Sequence, residues 1–264
     1  MHPWRRMATR LRVAEALRQR QEIQTIHGPL YFVMGDARAT HYVRDLLVRE
    51  PETLQWIDQF EPGSIFWDVG AHIGIYSLYA ALRPDIAVRA FEPAAANYGA
   101  LCRNIEANAF PQVEAYCVAL GDRTRLGHLN MSATHAGSEF NAFERDASRP
   151  GRSADIVFRQ PAIGYSMDQF RLQFELPAPN YLKIDVDSTE EEILVGAAQT
   201  LRHPALRSLL VEFDYPETAR GRRIVEFLAA AGLMPQRRGA PDGGSINVIF
   251  AKDENLATTA RQAS

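Results

Sequence analysis

Between residues 65 and 252, short apolar runs alternate with segments whose apolar residues recur every three or four positions. The short runs predict strands over 65–69, 87–91, 113–118, 181–186 and 208–213. The periodic segments predict helices over 74–82, 93–108, 190–201 and 224–231. Pro93 opens one of them, and Tyr98, Leu101 and Ile105 mark its inner side. Two further strands, 234–238 and 246–251, follow each other across the glycine-rich loop 239–244. Alternating strands and helices imply an α/β fold, a largely parallel sheet with helices on both faces. Two successive strands at the end need a hairpin, so the last strand should run antiparallel.

The flanks read differently. Residues 1–20 carry six Arg and one Glu, with Val13, Ala14 and Leu17 at helical spacing. They predict an exposed helix with a basic face, whose contact with a phosphate or membrane surface is the weaker reading. A turn at His27-Gly28-Pro29 leads into a short strand ending at Val33. Residues 51–60 predict a helix with Leu54, Ile57 and Phe60 on one face. These parts make an extension over 1–60 before a domain over 61–252. Residues 123–165 are polar and weakly periodic, so they are expected to be an irregular, substrate-facing insertion. The tail over 253–264 is polar and expected to be flexible.

Composition narrows the class. The chain has 264 residues and a formal net charge of −3, which argues against a nucleic-acid binder. Cys102 and Cys117 form neither a metal quartet nor a disulfide framework, which fits a reducing cytoplasm. The longest nearly apolar run, 73–82, is too short to span a bilayer, and no signal peptide is read. Of 29 basic residues all but Lys183 and Lys252 are Arg, a bias that fits a GC-rich, bacterial coding genome.

Ligands of such sheets bind beyond the carboxyl ends of the strands. After the first strand stands Asp68-Val69-Gly70-Ala71-His72-Ile73-Gly74. Gly70 allows close backbone approach, and Gly74 a tight entry into a helix whose amino end carries partial positive charge. An acid there repels a pyrophosphate and attracts an amino group. Glu92 ends the second strand, where a carboxylate can accept from ribose hydroxyls. Leu120-Gly121-Asp122 follows the third, where an acid can accept from an adenine amino group. Three acids at three successive strand ends suit S-adenosylmethionine. Helix capping, surface pairing and turn formation are the ordinary alternatives for each acid alone. Asp185 and Asp187 follow the fourth strand, and Glu212 and Asp214 the fifth. The four could supply a general base or hard oxygen ligands for Mg²⁺; the metal is the less favoured reading.

At these residues the chain resembles the FkbM family of S-adenosylmethionine-dependent methyltransferases. The match rests on FWDVGAHIGIYSL (66–78), AFEPAAANYGALCRNIEAN (90–108), ALGD (119–122), YSMDQF (165–170), YLKIDVDSTEEEILVGA (181–197), LLVEFD (209–214) and SINVIF (245–250). The resemblance implies a Rossmann-like class I methyltransferase sheet of seven strands, the last antiparallel. It also implies methyl transfer to a hydroxyl oxygen of a sugar, glycan or small natural product. On this basis Asp68 and Gly70 should lie by the methionine part of the cofactor, with His72 and Gly74 in the same loop. Glu92 should hold the ribose, and Asp122, with Leu120 beside it, should face the adenine. Asp185 should stand near the transferred methyl. Asn97 matches a family asparagine that binds or braces the site. Two departures stand out: His72 where the family usually has Asn, and Asp187-Ser188 where Glu-Gly is common.

An alcohol acceptor needs a group to take its proton. Asp185 is the first candidate and His135, in the insertion with Ser132, Thr134, Glu139, Asn141 and Arg145, the second. Tyr31, Tyr42 and Trp56 either line the pocket mouth or pack in the core. A nucleobase methyltransferase would carry an Asn/Asp-Pro-Pro-aromatic motif where this chain reads DVDS. A cytosine-carbon enzyme would need a nearby Cys, and a nicotinamide enzyme three glycines. The remaining alternative is a non-catalytic S-adenosylmethionine-binding or scaffold protein.

Overall fold

The segment Ile-Phe-Trp-Asp-Val at 65–69 buries four of its five residues, and Tyr-Leu-Lys-Ile at 181–184 buries all four. Strands with no solvent face belong in the middle of a sheet covered on both sides. The computed structural model, which describes residues 3–16, 20–34, 39–145, 148–149, 152–153, 155–241 and 244–252, puts them there.

The chain begins with α1 (Pro3–Ala16), the hairpin β1 (Arg20–Thr25) and β2 (Gly28–Val33), then α2 (Ala39–Arg44), α3 (Leu46–Arg49) and α4 (Pro51–Asp58). The alternating core opens with β3 (Ile65–Val69), α5 (Ile75–Ala81), β4 (Ala87–Phe91), α6 (Ala95–Asn108) and β5 (Val113–Tyr116). Next come β6 (Ala119–Gly121), β7 (Arg125–Met131), β8 (Asn141–Phe143), β9 (Ser148–Arg149), β10 (Arg152–Ser153) and β11 (Phe158–Ser166). The chain returns to the core through α7 (Met167–Gln173), β12 (Tyr181–Ile184), α8 (Glu190–Gly196), α9 (Ala198–Arg202) and β13 (Ser208–Asp214). It closes with α10 (Ala219–Ala230), β14 (Leu233–Arg238) and β15 (Ser245–Lys252).

The main sheet has seven strands in the order β14-β15-β13-β12-β3-β4-β5. Its neighbours pair in parallel except β15, which runs antiparallel to both β13 and β14. Successive side chains on a strand point to opposite faces, and the two cores follow that alternation. Phe66, Val88, Tyr181 and Leu210 pack with Leu54, Ile57 and Leu78 of α4 and α5 and with Phe32 of β2. Their chain neighbours Trp67, Leu182, Leu209 and Val211 pack with Ile193 and Leu194 of α8 and Ile224 and Leu228 of α10. From β3 the chain builds outward through β4 to β5, then resumes on the other side of β3 with β12. The carboxyl ends of β3 and β12 therefore flank the switch point where such sheets bind ligands.

Three expectations change. Residues 123–165 are not an irregular insertion. They supply β7, β8 and β11 of a four-stranded sheet ordered β6-β11-β7-β8. Gly127 and Gly164 made the stretch look broken. A Cβ on either would fall 2.7 or 2.4 Å from the Phe143 ring, so both glycines make room for an aromatic within the strands. The strand expected over 113–118 ends at Tyr116 as β5 of the main sheet, and a separate, unexpected β6 at 119–121 starts the second sheet, pairing in parallel with β11. The helix expected over 190–201 divides at Ala197 into α8 and α9. Asp168 explains the restart, accepting from Gln199 N at 2.7 Å, Thr200 N at 2.8 Å and Thr200 Oγ1 at 2.6 Å. The basic helix expected over 1–20 forms α1, and β1 is an addition. Residues 253–264 lie outside the described residues. No helix among the described residues is long and apolar enough to cross a membrane.

Candidate active site

The turn after β3 sets the first wall. Gly70 takes φ +83°, and a Cβ there would lie 1.8 Å from the carbonyl oxygen of Asp185. Only glycine lets this turn press against the end of β12. Gly70 N and Ala71 N both donate to Phe91 O at 3.0 Å, which ties the turn to the end of β4. His72 takes φ +55°, and its ring lies edge-on to Tyr42 with centroids 4.7 Å apart. Burial pushes the His72 imidazole down to about 4, so it is neutral at pH 7.

Glu92 directly follows β4 and faces the same space. Its Oε2 accepts from His72 N and its Oε1 from Ala94 N, each at 2.8 Å. Burial pushes its carboxyl up to about 7, against the pull of those two hydrogen bonds. Asn97, on α6, accepts from Gly137 N at 2.8 Å and donates to Ser138 O at 3.2 Å. It thereby brings residues 137–138 of the second sheet's β7–β8 connection onto the core.

The end of β12 supplies the polar floor. Lys183 is fully buried, and its Nζ donates to Asp185 Oδ2 at 2.5 Å and lies 4.7 Å from the centre of the Tyr76 ring. Burial opposes the ammonium charge, but Asp185, Asp68 and Glu50 outweigh it and raise the Lys183 pKa. Asp187 Oδ2 accepts from Asn141 N at 2.9 Å, and Glu212 accepts from Ser245 Oγ at 2.7 Å. The opposite wall comes from the amino-terminal extension. Arg49 lies 4.8 Å from the Tyr42 ring centre and 3.5 Å from Glu139 Oε1. Together these groups line a cleft of about 940 Å³, part of it open to solvent.

Of the residues singled out in the sequence, Tyr42, Gly70, His72, Glu92, Asn97, Glu139, Asn141, Asp185, Asp187 and Glu212 line this cleft. Others are held elsewhere. Asp68 is buried beneath the turn, where Ser77 Oγ donates to its Oδ2 at 2.5 Å; burial raises its pKa while Lys183 opposes. Gly74, at φ +95°, packs against Leu101 beneath the helix. Leu120 and Asp122 line a separate groove, and Asp122 Oδ1 accepts from Arg125 Nη1 at 3.0 Å. His135 does not reach the cleft lining; its Nδ1 lies 3.0 Å from Ala136 O. Tyr42 lines the cleft, whereas Trp56 sits in the core between Phe60, Phe66 and Tyr181. Among the described residues no three of His, Cys, Asp and Glu converge to hold a metal ion. The side chain of Asp214 lies outside the described ones.

Sequence reasoning missed Lys183, Tyr76, Arg49 and Glu50. A signal for Lys183 was present. A chain that otherwise uses Arg almost throughout places one of its two lysines two residues before Asp185. Glu50 gave no comparable signal, because it lies in the extension, away from every strand end.

The model of the methyltransferase FkbM domain matches residues 68–238. The 31-O-demethyl-FK506 methyltransferase FkbM of Streptomyces tacrolimicus is 24% identical over 195 residues, covering 66% of this chain and 74% of that protein. The AMB antimetabolite synthetase AmbE of Pseudomonas aeruginosa is 44% identical over 167 residues, covering 51% of this chain but only 8% of the synthetase. Among solved structures, precorrin-6y C5,15-methyltransferase from Geobacter metallireducens is 14% identical with a TM-score of 0.47, over 77% of this chain and 87% of that one. The family match covers more than half of the chain, its strand-end motifs build the cleft, and the chain belongs to the FkbM family of S-adenosylmethionine-dependent methyltransferases.

Proposed function

We propose that this chain methylates a hydroxyl oxygen of a sugar, glycan or small natural product. The observation that carries the reading is the Lys183–Asp185 pair at the end of β12, opening into a cleft shared with Glu92 and the Gly70 turn. The site's chemistry fits S-adenosylmethionine. Carboxylates at 92, 185 and 187 suit a ligand with a sulfonium, an amino group and ribose hydroxyls. Each oxygen of Glu92 accepts one backbone N–H, which leaves lone pairs for a ribose. When bound, the cofactor supplies a methyl group already activated for attack. The protein's own task is then to align an acceptor oxygen with that methyl, a proximity effect.

In this reading Asp185 accepts a hydrogen bond from the acceptor hydroxyl and fixes its direction, while Lys183 holds the Asp185 carboxylate still. Asn97 and Asp187 hold the β7–β8 connection over the cleft through Gly137, Ser138 and Asn141. That connection is the natural source of acceptor specificity. The name of the Streptomyces tacrolimicus relative, which refers to a 31-O-demethyl compound, supports an oxygen acceptor. Glu92→Ala should weaken S-adenosylmethionine binding by at least about tenfold, or 1.4 kcal/mol. An unchanged Kd in calorimetry would remove Glu92 from the ribose. Asp185→Asn should keep cofactor affinity and lower methyl transfer by about 100-fold; full retained turnover would remove Asp185 from the mechanism.

A further inference from the structure

The family match begins at residue 68, yet α2, α3 and Glu50 close one side of the cleft. Glu50 joins α3 to α4, and its side chain is fixed from three elements. Asn247 Nδ2 of β15 donates to Glu50 Oε2 at 2.9 Å, and Thr53 Oγ1 of α4 donates to the same oxygen at 3.1 Å. The Tyr76 hydroxyl of α5 hydrogen-bonds the same carboxyl group. Pro51 follows directly and keeps the Glu50 backbone out of the helical region, at φ −135° and ψ 68°. This carboxylate is held on a rigid frame inside the cleft.

Two carboxylates on this floor differ in what they can do. Asp185 is paired at 2.5 Å with a buried ammonium. That contact commits one Asp185 oxygen to the ammonium and fixes the direction of its carboxylate, which suits it to orienting a hydroxyl. Glu50 has different surroundings: burial and then repulsion by Asp185 raise its pKa, against the pull of Lys183, Tyr76 and Asn247. The charged and titratable groups around it are Lys183 from β12, Asp185 just after it, Tyr76 from α5, Glu212 from β13, and Arg49 and Glu52 beside it in the chain. A proton acceptor works best when its own pKa lies near the working pH.

We propose that Glu50, supplied from outside the family domain, accepts the proton of the acceptor hydroxyl, while Asp185 orients that hydroxyl. The inference rests on the O-methylation reading. The hydroxyl proton passes to the Glu50 carboxylate as the oxygen's electron pair forms the new O–CH₃ bond. The pair of the broken S–CH₃ bond stays on sulfur, so charge and atoms balance.

The test uses the full chain and two probes, S-adenosylmethionine and S-adenosylhomocysteine, which differ by one methyl and one positive charge. Calorimetry from pH 5 to 8 gives the affinity ratio of the two for wild type and Glu50→Gln. A carboxylate facing the sulfonium must raise affinity for the charged probe as it ionises, and binding linkage is reciprocal. The expected result is a wild-type preference for S-adenosylmethionine that grows with pH. Glu50→Gln should lose about fivefold of that preference with its affinity for S-adenosylhomocysteine unchanged. Should Glu50→Gln not fold, Glu50→Asp carries the test, because withdrawing the carboxylate by one methylene must weaken the same preference. Equal ratios in wild type and variant overturn the assignment and leave the methyl-donor reading intact. A wild type that binds neither probe overturns both. In turnover, Glu50→Gln should lower kcat by about 100-fold with KM held; an unchanged kcat overturns the proton-acceptor role.

Discussion

Glu92 shows how a single buried acid ties stability to pH. Its carboxyl is pushed up from 4.5 to about 7, chiefly by burial. The native chain therefore keeps this proton over a range where the unfolded chain has lost it. Stability owed to Glu92 is fully present below about pH 4.5 and is lost as pH rises towards 7. Glu92→Gln cannot lose a proton there, so its Tm should gain on the wild type between pH 4.5 and 7 and run parallel below. Melts that stay parallel across the whole range would contradict this account of the burial. At the same scale, the acids at the ends of β3, β4 and β12 were visible in the sequence, but not their differing fates. Asp68 and Asp185 both end central strands. One is folded under the turn onto Ser77, and the other faces the cleft beside Lys183. Side-chain direction at a strand end depends on the turn that follows, and no local pattern encodes that.

Among the elements, period and punctuation located the core strands and most helices, because each has one continuous apolar stripe. They failed where an element answers to a partner distant in sequence. Gly127 and Gly164 look like loop residues until the Phe143 ring is placed between them. Ala197 looks helical until Asp168, on α7, captures the amino end of α9. That capture is testable. Asp168→Ala removes an acceptor serving two backbone N–H groups and one hydroxyl, and should cost about 2 kcal/mol, or roughly 5 °C in Tm. A shift below about 1 °C would show that α9 is set by its apolar packing alone. The Gly70 turn makes a second prediction. Gly70→Ala must carry a Cβ into the Asp185 carbonyl at a φ of +83°. The turn or β12 must then move, so a folded Gly70→Ala should lose cofactor affinity. A variant with wild-type affinity and stability would refute the close packing of turn and strand.

For the molecule as a whole, the parallel sheet and its antiparallel last strand follow from the alternating pattern, whereas the strand order, and with it the switch point between β3 and β12, is seen only in the structure. The cleft lies at that point. The sequence pointed to residues 123–165 and to Tyr42 as parts of its rim, but the contacts that close them over the cleft were not legible, since they join residues far apart in sequence. Arg49 of the extension meets Glu139 of the connection, and Tyr42 meets His72 of the turn. Three parts of the chain thus enclose one site, with a floor of carboxylates and a single buried lysine. Such a floor favours a cationic ligand over a pyrophosphate. The most direct test is calorimetry of the full chain with S-adenosylmethionine, S-adenosylhomocysteine and NAD. The account predicts micromolar binding of the first two and none of the third. Tight NAD binding, or no binding of the methyl donor and its product, would contradict it.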